Sequence, residues 1–272
     1  MRASNHGELG LIVLSSCKEL GGLVDERILQ LRAEEDDDKS YLVPIEEVRF
    51  SNGEGKIKLL DSVRGKDIYI LCDVGNYSCE YTMFGRSHCM GPDEHFQDIK
   101  RVLSAIGGKA DRVTVIMPLL YASRQHKRKG RESLDCAMAL KELENLGVHA
   151  ILTFDVHDPT IHNAIPGTSF ENIFPTYSML KCFIANEGAN IKKDNMTVIS
   201  PDTGAMDRAI YYANTLGVDV GMFYKRRDHT VVVNGKNPIV QHEYIGGPLE
   251  NKKVLIVDDM IASGESIIDI IG

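Results

Sequence analysis

Close to one end of the chain, Val254-Leu-Ile-Val-Asp-Asp-Met-Ile-Ala-Ser-Gly-Glu-Ser266 gathers groups suited to a phosphorylated sugar. A short apolar run reads as a buried strand that delivers Asp258 and Asp259 to its carboxyl end, the edge where open α/β sheets bind ligands. A tight turn at Ser263-Gly264 then leads toward a helix start, whose free backbone N–H groups can hold a phosphate dianion. Ser263 and Ser266 add hydroxyl donors. The paired carboxylates can accept hydrogen bonds from ribose hydroxyls, directly or through a metal ion. Ala262, Gly264 and Glu265 complete the loop.

Cations and other polar groups follow further strands upstream. Tyr121-Ala-Ser-Arg-Gln-His-Lys-Arg128 offers Arg124 for phosphate oxygens and Gln125 for a base edge or ribose. Tyr224-Lys-Arg-Arg-Asp228 places Lys225 and Arg227 two apart, so on an extended segment both address one face. Asp155-Val-His-Asp158 and Ser200-Pro-Asp-Thr-Gly204 each follow an apolar run. Phe50-Ser-Asn-Gly-Glu-Gly55 reads through its Asn-Gly pair as a turn before a strand.

The elements that must position these groups alternate. Strands are expected at Leu9–Leu14, Ile68–Cys72, Val113–Met117, Ala150–Phe154, Val198–Ser200, Val218–Phe223 and Val254–Val257. Helical patterns lie at Asp93–Ile106, Ser133–Leu146 and Gly204–Leu216, with Asp93 and Ser133 as credible starts. The alternation predicts an α/β fold of mainly parallel sheets flanked by helices. Breakers around Asn163–Thr168 divide the chain into domains of residues 1–166 and 167–272. The chain stops inside what reads as a helix, so the second domain is expected to be incomplete.

Composition excludes several classes. A net charge of −8 argues against binding nucleic acid through phosphate neutralisation. No apolar run is long enough to span a membrane, and no secretory signal opens the chain. The six cysteines form no CxxC pair, and together these features point to a reducing cytoplasm. Cys79, His88, Cys89 and His95 come nearest to a metal cluster but read as ordinary thiols and imidazoles.

Taken in order, these motifs resemble the ribose-phosphate pyrophosphokinases, which make phosphoribosyl pyrophosphate, and the likeness runs from about Leu9 to Gly272. The terminal loop alone is shared with the type I phosphoribosyltransferases. The Arg124-Gln125, His157, Asp202 and Lys225-Arg-Arg227 motifs favour synthesis. The resemblance implies two phosphoribosyltransferase-like domains and transfer of pyrophosphate from ATP to C1 of ribose 5-phosphate. By the same resemblance, Lys225 and Arg227 stabilise charge during transfer, while Phe50, Asn52, Glu54, Arg124 and Gln125 bind ATP. Asp258, Asp259 and Ala262 to Ser266 bind ribose 5-phosphate, and His157 and Asp202 hold Mg2+. The Phe50 motif implies a site shared between subunits, hence a homo-oligomer and by resemblance a hexamer.

Ala262 and Asn52 replace the family's usual aspartates, as does His126; Glu265 and Ala205 replace glycines. The segment from Tyr77 to His95 matches poorly, as an insertion would. These departures leave two alternatives: a purine-type phosphoribosyltransferase, or a non-catalytic synthetase-like regulatory subunit.

Overall fold

The structure, a computed structural model, describes residues 7–32, 39–128, 130–188, 191–192, 194–227, 239–261, 263–264, 267–268 and 270. The chain divides into two units, Met1–Ile173 and Phe174–Gly272.

The first unit is built on five parallel strands in the order β1 (Leu9–Val13), β4 (Asp67–Leu71), β7 (Arg112–Met117), β8 (Ala150–Phe154) and β9 (Ser169–Ile173). Central strands of a parallel sheet are covered on both faces, and their near-continuous apolar sequences meet that demand. Ile68, Ile70, Val115 and Ile151 are accordingly fully buried.

Two helices, α2 (Pro92–Ile106) and α3 (Asp135–Asn145), pack their apolar stripes into this core through Ile99, Val102, Leu140 and Leu143. Burial of each such side chain contributes roughly 1.5–3 kcal/mol. Pro92 opens α2, and the Glu94 carboxylate turns back to accept the Gly91 N–H at 2.9 Å, satisfying one of the unpaired donors of the first turn.

Helix α1 (Lys18–Arg32) was not expected from the sequence. Its Gly21-Gly22 pair weakens the helical signal, yet Gly21 is there for packing, because a Cβ would collide with the Val13 side chain. Of two antiparallel hairpins, the first was expected in part, as the turn and following strand at Phe50–Gly55, and the second was not expected. Strands β2 (Ile45–Arg49) and β3 (Gly55–Leu59) enclose the Phe50–Glu54 turn, while β5 (Glu80–Met83) and β6 (Arg86–Cys89) form most of the segment that had read as an insertion.

The first unit runs to Ile173, not to Pro166 as the breakers had suggested. Ser169–Ile173 pairs with β8 as the fifth strand, so the breaker-rich stretch is an internal connection. The imidazoles near Cys79 and Cys89 have structural partners: His95 Nε2 lies 2.8 Å from the Asn76 carbonyl and His88 Nε2 lies 3.1 Å from Glu94.

The second unit holds α4 (Thr176–Glu187), β10 (Met196–Ser200), α5 (Met206–Leu216), β11 (Asp219–Arg227), β12 (Ile239–Ile245) and β13 (Lys253–Ile256). Its sheet order is β12-β11-β10-β13, with β10, β11 and β13 parallel and β12 antiparallel. The buried β10 is covered by α5 through Ala209, Tyr212 and Ala213.

Candidate functional site

In the second unit the chain leaves β10 to one side through α5 and β11, then returns through β13 to the other side. Such a reversal opens a crevice beyond the carboxyl ends of the strands, where doubly wound sheets bind ligands. Asp202 follows β10, and Asp258 and Asp259 follow β13.

Asp202 caps the next turn, accepting the Gly204 N–H on Oδ1 at 2.8 Å, while Ser200 Oγ donates to the Asp202 carbonyl at 2.6 Å. Asp258 Oδ1 accepts the Asp259 N–H at 2.9 Å. Partial burial, assisted by the carboxylates of Asp259 and Asp202, pushes the Asp258 pKa up to about 6. The edge therefore carries crowded negative charge, an arrangement that a divalent cation or the hydroxyls of a sugar would relieve. Gly264 has φ +79°, a conformation available to glycine at no steric cost, and its carbonyl accepts the N–H groups of Ile267 and Ile268 at 3.0 Å. Ala262, Glu265 and Ser266 lie outside the described residues.

Strand β11 runs past the sheet edge: Ser200 on β10 pairs with Met222, and Lys225 and Arg227 follow beyond it. There, among the described residues, the strand pairs with β12, with Lys225 opposite His242 and Arg227 opposite Ile239. The register shifts between Arg226 and Arg227, but β11 itself is continuous, so Lys225 and Arg227 keep their two-residue spacing. Their side chains lie outside the described atoms.

In the first unit two loops stand at the carboxyl ends of adjacent strands. After β7 the chain turns at Ala122, with φ +52°, into a single 3-10 turn at Ser123–Gln125. Arg124 and Gln125 are both exposed there. After β8 it passes Asp155, with φ +41°, to His157 and Asp158. Left-handed conformations are uncommon outside glycine, and their presence at both loops indicates a backbone held by its surroundings.

His126 joins the two loops. Its Nδ1 lies 3.1 Å from the Ser123 carbonyl, and its Nε2 lies 3.0 Å from Asp158 Oδ2, an ion-pair contact off the line of a good hydrogen bond. Its ring also packs on that of His157, with centroids 5.3 Å apart. The His126 side chain is 8 % exposed, so it is a buried tie between the loops. Asp158 is held below the usual carboxylate range, chiefly by the Thr160 hydroxyl, with the Thr160 N–H and His126 assisting. Spacing did not mark this tie, because its partners are remote in sequence.

The Phe50–Glu54 turn is closed by the Phe50 N–H donating to the Glu54 carbonyl at 2.8 Å and by Asn52 Oδ1 accepting the Glu54 N–H at 3.1 Å. The side chains of Phe50, Asn52 and Glu54 are exposed. A buried ionic clamp anchors the base of the turn: Asp98 on α2 pairs with Arg49 and, at 2.7 Å, with Arg101. Gly55 gives the clamp room, since a Cβ there would displace the Arg49 and Arg101 guanidinium groups. This clamp, too, went unread in the sequence.

Residues 9–147 match a family model described as the N-terminal domain of ribose phosphate pyrophosphokinase, and residues 180–271 match a phosphoribosyl transferase domain. Among curated proteins, the ribose-phosphate pyrophosphokinase of Mycoplasma genitalium is 30% identical over 223 residues, covering 80% of this chain and 59% of that protein. The enzyme of the same name from Ralstonia nicotianae is 28% identical over 225 residues, covering 80% and 62%. The chain thus spans about three fifths of the length of the curated relatives it matches. The crystal structure of phosphoribosylpyrophosphate synthetase from Mycobacterium smegmatis shares the fold, with a TM-score of 0.72 at 22% identity, covering 96% of this chain and 74% of that one.

Proposed function

The chain belongs to the ribose-phosphate pyrophosphokinase family, and we propose that it moves the β,γ-diphosphoryl group of ATP to the C1 hydroxyl of ribose 5-phosphate, releasing AMP. The observation that carries this reading is the pair of first-unit loops tied by His126. His126 touches His157 and follows Arg124 and Gln125 directly in the chain, which supports reading this sheet edge as a donor site, for which a sugar-consuming transferase has no use.

The acceptor site is the second-unit edge. Asp258 and Asp259 would take the ribose hydroxyls, and the turn at Gly264 would present backbone N–H groups to the 5-phosphate. Transfer of this kind depends on positioning and on neutralising spread negative charge. Holding the C1 oxygen in line with the β-phosphorus can supply roughly 7–11 kcal/mol of the barrier reduction. Lys225, Arg227 and Arg124 would meet the charge on the triphosphate.

The carboxylate crowding around Asp258 fits a divalent cation. We assign Asp202 at the second-unit edge and His157 at the first-unit edge each as a Mg2+ ligand; a bound ion would neutralise triphosphate charge. The substrates are therefore ATP and ribose 5-phosphate. The exposed Phe50 turn suits a contact between copies in a homo-oligomer, with a hexamer as the form implied by resemblance. All six cysteines are free thiols, which supports a cytoplasmic location; among the described residues no helix is long and apolar enough to cross a membrane.

The test is incubation with ATP, ribose 5-phosphate and Mg2+, followed by chromatography of the nucleotides. AMP formed one-for-one with activated sugar is the expected result. Turnover that requires a free nucleobase and releases pyrophosphate would replace this reading with the transferase. Absence of turnover at saturating substrates would replace it with the regulatory subunit.

A further inference from the structure

The β5–β6 hairpin has no part in the mechanism above, yet its tip is built against ordinary preferences. Phe84 and Gly85 occupy the turn with φ +48° and +78°. Positive φ at both central positions marks the tight turn that Asn-Gly or Gly-Gly normally fills. A phenylalanine there is a conformational outlier. Burial does not compensate it, because Phe84 is 76 % exposed. Neither the turn nor the core accounts for this residue.

The surroundings of the tip point to a purpose. The Phe84 N–H donates to the Ser51 carbonyl at 2.9 Å, so the tip is joined to the turn that carries Phe50. Gly53 in that turn has φ +90°, and a Cβ there would stand 3.0 Å from Met83 Sδ, so the two turns lie in close contact. The hairpin is also braced from behind: the Tyr81 hydroxyl donates to Glu94 at 2.6 Å, and the Arg49 guanidinium lies 5.7 Å from the Tyr81 ring centroid. Two exposed aromatic side chains, Phe50 at 48 % and Phe84, thus stand on turns fixed to each other. Aromatic side chains carried on fixed turns lose little freedom when a flat π-system stacks on them.

We propose that Phe84 is a second aromatic contact for the purine base of the nucleoside triphosphate, beside Phe50. The proposal rests on the donor-site reading of the Phe50 turn. Strain at a position that contributes nothing to packing is then explained by binding.

The experiment measures binding of α,β-methylene ATP, whose α–β bridge resists cleavage, by calorimetry on the whole protein. Phe84→Asn keeps the turn, since asparagine tolerates positive φ. It is expected to raise the unfolding midpoint by about 2–4 °C and to weaken the analogue about 3- to 10-fold. Phe84→Tyr, which retains a stacking ring, should bind within about twofold of wild type, and ribose 5-phosphate affinity should not change in either variant. A Phe84→Asn protein that binds the analogue like wild type overturns the proposal. So does a loss that disappears at protein concentrations restoring an assembly, which would make Phe84 a contact between copies. Phe50→Ala run in parallel separates the two levels. If neither variant changes analogue binding, the donor-site reading of the turn fails; if only Phe50→Ala weakens it, Phe84 alone is misassigned.

Discussion

Replacing Asp98 with alanine should strip the Phe50 turn of its anchor. The Asp98 side chain is 5 % exposed and accepts from both Arg49 and Arg101. Without it, two guanidinium groups face each other largely out of water. Breaking a buried ion pair by removing one partner costs about 3–5 kcal/mol. Both arginines keep some access to solvent, so the lower end applies, about 3 kcal/mol. In a protein of this size that corresponds to a fall in unfolding midpoint of roughly 6–12 °C. Thermal and urea melts followed by circular dichroism would measure it.

The control is Arg49→Met combined with Asp98→Leu. Apolar replacement of a buried pair is often near neutral, and the Arg101 left behind is 24 % exposed, so the double variant should recover part of the loss. Arg49 is the residue immediately before Phe50, so Asp98→Ala should also weaken ATP more than ribose 5-phosphate. A cost below about 1 kcal/mol, or a double variant no better than the single one, would refute the clamp.

Other predictions concern the two sheet edges. Asp258 has a pKa raised from 3.8 to about 6, so the folded protein binds the proton more tightly than the unfolded chain. Its contribution is present below about pH 4 and is lost as pH rises through about 6. Melts of ligand-free wild type and Asp258→Asn should therefore diverge in favour of the variant across that window, while the variant loses ribose 5-phosphate binding; parallel curves would contradict the carboxylate crowding. His126→Asp sets two carboxylates against each other, and should raise the ATP KM several-fold with a smaller change for ribose 5-phosphate; Asp158→Asn added to it should restore part of the loss, and no restoration would sever the tie. Lys225→Ala should reduce kcat by about 10²–10³ with ribose 5-phosphate binding intact, measured by steady-state kinetics and calorimetry. Loss of both would remove Lys225 from the transfer step.

The sequence conveyed what is local. Strands of a parallel sheet read as apolar runs, so β1, β4, β7, β8, β10, β11 and β13 were expected within a few residues of their positions. The placement of Asp258 and Asp259 after β13 and of the turn at Gly264 was legible, because one strand and one turn supply it. Helix α4 was not, since Tyr177, Met179 and Ile184 are exposed on it and blur any apolar stripe. The boundary at Ile173 was hidden because a breaker-rich stretch looks the same within a domain as between two.

At the sites, residue types were readable but their ties were not. Arg49 meets Asp98 across 49 positions, and His126 meets Asp158 only because β7 and β8 are neighbours in the sheet. Phe84 was invisible for another reason. Its conformation, not its residue type, is what singles it out.

The claim at the centre of this account is that two phosphorus atoms leave ATP together. Phosphorus-31 NMR of the protein with ATP, ribose 5-phosphate and Mg2+ follows both atoms at once. The account predicts a growing AMP singlet and, in step with it, a coupled pair of doublets from a new diphosphate ester on the sugar. Signals of ADP with a single transferred or free phosphate would contradict it.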